Sequence, residues 1–462
     1  IYVFHLRDDV RWSDGHPVTA DDFEFAWKRL LDPTGAPMNA RKRSLDTSTG
    51  LRAAGPLHDV RGAQTYHAGR SADPDSVGVH AVDPMTLVIE LERPVAYWPH
   101  IMANPATFPV PKHRVEQYGD AWCEADKIVT NGPYLLERWH PRERVDLVRN
   151  PHYHGRFAGN AHRVELLCLP YPTGWEKRLT LYEAGELDYL FIANWPVEGL
   201  AEAERRRGAE YRRMASLHTT SSCFNVRLPP FDDRRVRQAF ALAFDIGRLL
   251  AKGRIRTPEA ITGGYLPAAM AGYSPDIALG YNPERARALL AEAGFPGGRG
   301  FPEVRYYIMM TPGTNALQQI LESEIKQVLG VKVRCEVLEW RDYHQRLMAD
   351  PPHIGLDTWS ANYPDPDDFM RVAYRRIQRY FGWRNEQYED IVEEARTLTD
   401  QNERIKLYRQ ADAILVREAA IVPVMHSPTA CLIQPWVERL FISPLSTMSL
   451  WTSLRDVVIC PH

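Results

Sequence analysis

The sequence predicts a mixed α/β protein built from more than one domain, and three observations carry that prediction. The chain has 462 residues, and a domain usually holds roughly 100–200, so two or three domains are expected. Segments alternating apolar and polar residues, as strands do, interleave with segments of helical spacing along the whole length. No internal repeat or low-complexity tract interrupts them.

Tyr2, Phe4 and Leu6 alternate with more polar neighbours, the pattern of a half-buried strand. Ser13-Asp14-Gly15 is a turn signal. Thr19 is placed to cap a helix that runs to about Leu31 and stops before Pro33, and Val18 and Phe23 are spaced as a hydrophobic staple. Leu87, Ile89 and Leu91 mark another alternating strand, closed by Pro94. Asn131-Gly132-Pro133 turns the chain into an antiparallel pair over 134–139 and 145–149.

The window 225–245 is the most structured on paper. An extended segment meets Pro229-Pro230, which cannot donate ladder hydrogen bonds, and the strand is expected to end there. Asp232 or Asp233 can then accept bonds from the free N–H groups that open a helix. Val236, Ala239, Phe240, Ala243 and Phe244 fall on one apolar stripe of that helix. Further on, Asn282, Pro283 and Gly294 read as the N-cap, first residue and C-terminal glycine of another helix. A helix is expected over 317–329 and a strand over 331–338. Ile405, Tyr408, Ala411, Ile414 and Leu415 mark a last long helix, followed by a strand over 421–424.

Composition narrows the function classes. Hydrophobic content of 44% and charged content of 25% are usual for a globular protein. A net charge of −3 argues against nucleic-acid binding, which leaves a basic footprint. The strongest basic cluster, Arg205-Arg206-Arg207 with Arg212-Arg213, reads as a solvated helix face and loop. Twelve Trp and 21 Tyr suit large cores, or a cleft lined with flat side chains. None of the six cysteines, at 123, 168, 223, 335, 431 and 460, forms C-x-x-C. A zinc ribbon or thioredoxin-type site is therefore not expected, and the compartment stays open. No run of about 18 apolar residues marks a membrane-spanning helix. Residues 1–7 read as a mid-domain strand, and no Met begins the chain. The natural N-terminus, with any signal peptide or lipid-anchor cysteine, is expected upstream.

A nucleophile elbow, a Walker A loop, H-E-x-x-H and an EF-hand loop are all missing. Gly297-Gly298-Arg299-Gly300 follows a helix end and reads as a loop, not a phosphate cradle. His152 and His154 are spaced to share one strand face, but two histidines make a poor metal site, and the segment reads as a surface loop just after Pro151. Asp365, Asp367 and Asp368 lack the ligand number and glycine turn of a calcium loop, and read as helix caps ahead of Phe369 and Met370. Cys223 reads as a buried, inert thiol. No enzyme, cofactor or metal is predicted.

Several motifs fall in order along the chain. Phe4-His5-Leu6-Arg7-Asp8-Asp9-Val10-Arg11-Trp12-Ser13-Asp14-Gly15 is followed by Pro17-Val18-Thr19-Ala20-Asp21-Asp22-Phe23. Then come Asn131-Gly132-Pro133-Tyr134, Arg149-Asn150-Pro151-His152-Tyr153 and the 225–245 window. Trp359-Ser360-Ala361-Asn362-Tyr363-Pro364-Asp365-Pro366, Ile421-Val422-Pro423-Val424 and Pro435-Trp436-Val437 complete the set. Together they resemble the periplasmic oligopeptide- and dipeptide-binding proteins of ABC importers, solute-binding protein family 5, over essentially the whole chain. The family's first lobe-I segment would lie upstream of Ile1.

The resemblance implies a two-lobed periplasmic-binding-protein-like α/β fold of type II, with an extra subdomain and a two-strand hinge. It places that subdomain at about 1–115, lobe I at about 116–224 and 425–462, and lobe II at about 225–424. Hinge crossings are expected near 224–227 and 423–425. The implied function is capture of a peptide or peptide-like solute between the lobes and delivery to an ABC permease, without covalent chemistry. The expected form is a monomer in the periplasm or a cell-surface lipoprotein. The ligand-sensing domain of a transcriptional regulator, or a binder of non-peptide solutes, stays open as an alternative.

Residue by residue, the resemblance makes Trp340 and Trp359 flank ligand side chains, and Thr358 and Ser360 present backbone groups to an extended ligand. Asn315 and His426 fall at cleft-facing positions. Three positions depart from the family pattern. The aspartate that pairs with a peptide's α-ammonium is Asn362 here, the cysteine pair is His218 and Ser360, and a glutamate near the hinge is Cys223. An unpaired buried ammonium costs about 3–5 kcal/mol. Either Asp365 or another carboxylate substitutes, or the ligand has no free α-amine.

Overall fold

The computed structural model describes residues 1–34, 54–169, 174–193, 195–248, 262–310, 314–426, 428–445 and 454–462. Its contacts divide into two compact units. One gathers 1–174 with 435–442 and 450–462, the other 175–434 with 443–449.

In the first unit, strand Tyr2–His5 pairs antiparallel with Thr86–Ile89, which pairs in turn with Val79–Asp83. Helix Ala20–Leu31 buries Ala26, Trp27 and Leu31 on one side. The start of this helix is fastened by Asp22, whose carboxylate accepts the backbone N–H of Thr19 and the indole N–H of Trp12, each at 3.1 Å. Phe23 packs against the buried Trp12, Val18 and Val129. Strands Tyr134–His140, Arg144–Arg149 and Arg163–Leu167 form a second antiparallel sheet, with the hairpin expected from Asn131-Gly132-Pro133 at its start.

The second unit is organised on a five-stranded sheet. Its order is Val333–Leu338, Val304–Met309, Ile354–Ser360, His218–Phe224, Ile421–His426. The first two pairings are parallel and the last two antiparallel. Parallel neighbours need crossovers. Helices Thr314–Leu329 and Trp340–Ala349 supply them, one after each parallel strand.

Side chains alternate between the two faces of this sheet. Phe224, Val304, Tyr306, Ile308 and Ile354 lie on one face and share a core with helix Arg234–Ala243. Val236, Ala239, Phe240 and Ala243 of that helix are fully buried there, and Phe244 nearly so, as their spacing requires. Burying each Val or Phe contributes roughly 1.5–3 kcal/mol. Asp233 is the N-cap, accepting the Arg235 N–H at 2.7 Å. The preceding strand ends at Phe224, ahead of the double proline where the sequence placed its end. Asn225 turns the chain out, donating to the Pro352 carbonyl and accepting the Arg227 N–H.

The opposite face carries Thr219, Ser221, Cys223, Tyr307, Asp357 and Trp359. Tyr265, Phe369, Tyr388 and Tyr408 belong to the core on this side. A separate antiparallel sheet joins Tyr189–Phe191, Thr429–Ile433 and Tyr211–Met214. Among the described residues no helix is long and apolar enough to cross a membrane.

Candidate functional site

Five of the eight residues singled out from the sequence sit on three adjacent strands of the large sheet. Strand Ile354–Ser360 lies beside His218–Phe224, with Thr358 opposite Thr220, Trp359 opposite Thr219 and Ser360 opposite His218. On the other side of that strand, His426 stands opposite Thr219 and Ile421 opposite Cys223. Thr358, Trp359, Ser360, Cys223 and His426 thus belong to one sheet. Asn362 follows two residues after the strand end. His218 and Ser360 are direct cross-strand partners. Trp340 opens helix Trp340–Ala349, where the residue is 44% exposed and its ring centre is 4.5 Å from that of His344. Asn315 lies in helix Thr314–Leu329, and its side chain is outside the described residues.

Burial distinguishes these positions. Trp359 is buried and Ser360 exposed, so the strand presents different chemistry at successive residues. Burial pushes the Cys223 thiol well above its ordinary range, which keeps it neutral and non-nucleophilic. Desolvation lowers His426 to about 4 and, with His426 nearby, lowers His218 to about 4 as well. Both rings are neutral at pH 7. The Nε2 of His426 lies 3.3 Å from the Gly264 carbonyl oxygen.

Of the three acids of 365–368 expected to cap a helix, Asp365 does so, its carboxylate accepting the Asp367 N–H at 3.0 Å where the helical segment begins, while Asp367 makes no side-chain cap. All three are buried, and each also binds side chains. Asp365 accepts two bonds from Arg404, at 3.0 and 2.9 Å. Asp367 accepts Arg371 Nη2 at 2.6 Å, the Tyr363 hydroxyl at 2.6 Å and the Tyr408 hydroxyl at 3.1 Å. Burial alone would raise the Asp367 carboxyl, but Arg371 holds it below its usual value. Asp368 accepts the Trp359 indole N–H at 2.8 Å, and the backbone and side-chain N–H groups of Asn362 at 2.9 Å each. With no cation of its own in this set, burial pushes Asp368 up to about 6.

Further charged groups on the same side of the sheet escaped the sequence reading. Asp357 projects from strand Ile354–Ser360 and pairs with Arg376 at 2.8 Å. Arg376 Nη2 also lies 3.3 Å from His344 Nε2. The Ser221 hydroxyl and the Tyr265 hydroxyl are buried without a protein hydrogen-bond partner among the described residues. Asp412, fully buried, accepts the backbone N–H groups of Tyr265 at 2.7 Å and Leu266 at 3.4 Å. Burial pushes its carboxyl up to about 7. Gly264 makes room for it, since a Cβ there would lie 2.2 Å from Asp412 Oδ2. One of these was detectable in the sequence: Asp357 takes an inward position between Gly355 and Trp359, where alternation calls for an apolar residue.

The arrangement is polar, closely hydrogen-bonded and without a nucleophile–base pair among these residues, which suits recognition of a bound molecule. Comparison with known proteins agrees. Residues 1–378 match the bacterial extracellular solute-binding proteins, family 5. The chain is 31% identical to the probable deoxycholate-binding periplasmic protein YgiS of Escherichia coli K12, over 94% of this chain and 79% of that protein. It is 29% identical to the periplasmic oligopeptide-binding protein OppA of Salmonella typhimurium, over 95% and 78%. Among solved structures, the murein tripeptide-binding protein MppA of Escherichia coli superposes with a TM-score of 0.78 at 26% identity, over 100% of this chain and 87% of that one.

Proposed function

The chain belongs to the bacterial extracellular solute-binding proteins, family 5, and we propose that it captures a peptide or peptide-like solute without pairing the ligand's α-ammonium to a carboxylate at 362. The observation that carries this is the state of Asn362. Both its backbone N–H and its side-chain N–H are turned to Asp368. The residue has no charge to offer: its amide oxygen can accept a hydrogen bond from an ammonium but gives it no counter-charge.

The nearby acids do not replace the missing charge. Asp365 is held by Arg404 and Asp367 by Arg371, each as a buried pair. Asp368 is spent on Trp359 and Asn362. An ammonium desolvated against Asn362 would lack a counter-charge, at a cost of about 3–5 kcal/mol. Solutes with a blocked or absent α-amine avoid that cost. Of the relatives named above, the probable deoxycholate-binding protein is named for a solute that has no amine.

In this reading the solute is held by Trp340, Thr358, Trp359, Ser360, Asn362, Asn315, Cys223 and His426, and is released unchanged to the permease of an ABC importer. The protein works as a monomer, in the periplasm or at the cell surface. The chain passes between lobes near 224–227 and 423–425. Both positions lie within the unit 175–434, on the paired strands His218–Phe224 and Ile421–His426 or just beyond them.

Isothermal titration with matched short peptides, free and N-acetylated, tests the proposal. Acetylation is expected to change Kd by less than about threefold, under ~0.7 kcal/mol. A loss of about tenfold or more on acetylation would show that a carboxylate does grip the α-amine. Binding of deoxycholate with silence from every peptide would overturn the peptide assignment instead.

A further inference from the structure

We propose that Asp14, His16 and His113 form a binding site for a divalent transition ion of the zinc type. Asp14 and His16 flank Gly15 in a tight turn. Gly15 has a φ of +91°, its N–H donates to the Trp12 carbonyl at 2.9 Å, and the Trp12 N–H donates to the His16 carbonyl at 2.8 Å. Ser13 anchors this turn to Thr130: its N–H donates to the Thr130 carbonyl at 2.9 Å and its hydroxyl accepts the Thr130 N–H at 3.2 Å.

His113 comes from the first turn of helix Lys112–Tyr118. The start of that helix is fixed by Asp22, which accepts the Lys112 N–H at 3.1 Å. The same Asp22 carboxylate fastens the start of helix Ala20–Leu31. The backbone behind all three side chains is therefore tied to one framework, as a metal site requires of its ligands.

The ligand atoms already converge. His113 Nε2 lies 2.8 Å from Asp14 Oδ2, and His16 Nδ1 lies 3.3 Å from Asp14 Oδ1. The two imidazoles are stacked, with centres 4.1 Å apart and planes at 21°. One donor atom from each residue falls within 4.8 Å of the other two. A tetrahedral ion with bonds of about 2.0–2.1 Å holds its ligand atoms about 3.3 Å apart, so small side-chain rotations complete the geometry. Two imidazoles and a carboxylate suit zinc, nickel or copper, whereas calcium and magnesium require oxygen ligands throughout. His16 is 60% exposed, which gives the ion a path from solvent and leaves a fourth position for water.

Local spacing could not show this cluster, because Asp14 and His113 are 99 residues apart. The histidines that spacing did suggest, His152 and His154, join no three-ligand group among the described residues. The site is independent of the solute reading above.

The test uses tag-free protein stripped with EDTA and dialysed, titrated calorimetrically with zinc chloride. One zinc ion per chain is expected, with magnesium and calcium silent. His16→Ala and His113→Ala are each expected to weaken binding by about tenfold or more, while His152→Ala leaves it unchanged. Zinc should raise the thermal midpoint of the parent but not of the two variants. Circular dichroism of the metal-free variants, matching the parent, separates loss of the site from loss of folding. Cobalt in place of zinc should give the intense visible absorption of a tetrahedral ion. Failure to take up one ion per chain, or uptake that survives both histidine substitutions, would overturn the assignment.

Discussion

The two faces of the five-stranded sheet are held together in different ways. On one, Phe224, Tyr306 and Ile308 meet Val236, Phe240 and Ile325 in a largely hydrocarbon core. Its rings interlock, with Phe231 and Phe240 centred 4.9 Å apart and Phe224 and Phe231 5.5 Å apart. A buried polar contact, the 2.6 Å bond between the Ser222 and Tyr306 hydroxyls, is satisfied within the pair. On the other face, Ser221, Cys223 and Asp357 stand among aromatic rings, and buried ion pairs follow: Asp357 with Arg376, Asp365 with Arg404, Asp367 with Arg371. The first face gains stability in proportion to the area it removes from water. The second depends on every partner being present, because a charge left alone in a core is far costlier than a lost methyl group.

The sharpest way to break this contrast is Arg404→Met. Arg404 and Asp365 are almost fully enclosed. Removing the guanidinium strands the Asp365 carboxylate, and the expected loss is about 3–5 kcal/mol. Urea unfolding followed by tryptophan fluorescence would measure it. Adding Asp365→Leu should restore most of the loss, because an apolar pair of similar size replaces a buried ion pair at little net cost. A single-variant loss below about 1 kcal/mol would mean that this face is as forgiving as the other.

The sequence exposes these two faces unequally, for a physical reason. Helix Arg234–Ala243 could be read from spacing, since its stripe and its Asp233 cap are local. The same holds for Asn282, which accepts the Arg285 N–H at 2.9 Å. Strands and helices along the chain were legible because their signals lie within a few turns of one another. The charged face is only partly local: Arg371 lies four residues from Asp367, but other partners are distant. Asp365 finds its arginine 39 residues away, and Asp412 finds its backbone donors 147 residues away. By local rules 365–368 is a cap, which Asp365 supplies, but only the fold brings Arg404 close enough to pair with it. The candidate site residues were reached through resemblance, and the buried charges behind them needed the structure.

A second experiment separates the faces by pH. Burial pushes Asp412 up to about 7, against about 3.9 in an unfolded chain. Between about pH 4 and 7 the folded state keeps a proton that the unfolded chain has released. The Asp412 contribution to stability therefore falls as pH rises, by at most about 1.4 kcal/mol per unit. His218 and His426, lowered to about 4, act in the opposite sense: unfolded rings protonate below about 6.5 while the folded ones resist, so their contribution falls as pH drops. Asp412→Asn removes the first effect and leaves the second. Its carboxamide oxygen still accepts the Tyr265 N–H. Relative to the parent, the variant should become progressively more stable from pH 4.5 to 7, measured as urea midpoints in parallel buffers. A difference that stays flat with pH would show that Asp412 does not hold the proton.

The smallest expected effect is the most telling about the dry face. Ile308 is fully buried among Val304, Tyr306 and Phe240 in the apolar core. Ile308→Val removes one methylene and should cost about 0.5–1.5 kcal/mol. That cost should be the same at pH 5 and pH 7.5, because nothing the methylene touches changes charge. Tyr307, the next residue on the strand, already belongs to the charged side. If the cost shifts by more than about 0.5 kcal/mol between the two pH values, the faces communicate across a single peptide unit. In that case strand position, and not side-chain chemistry, would control the stability of both.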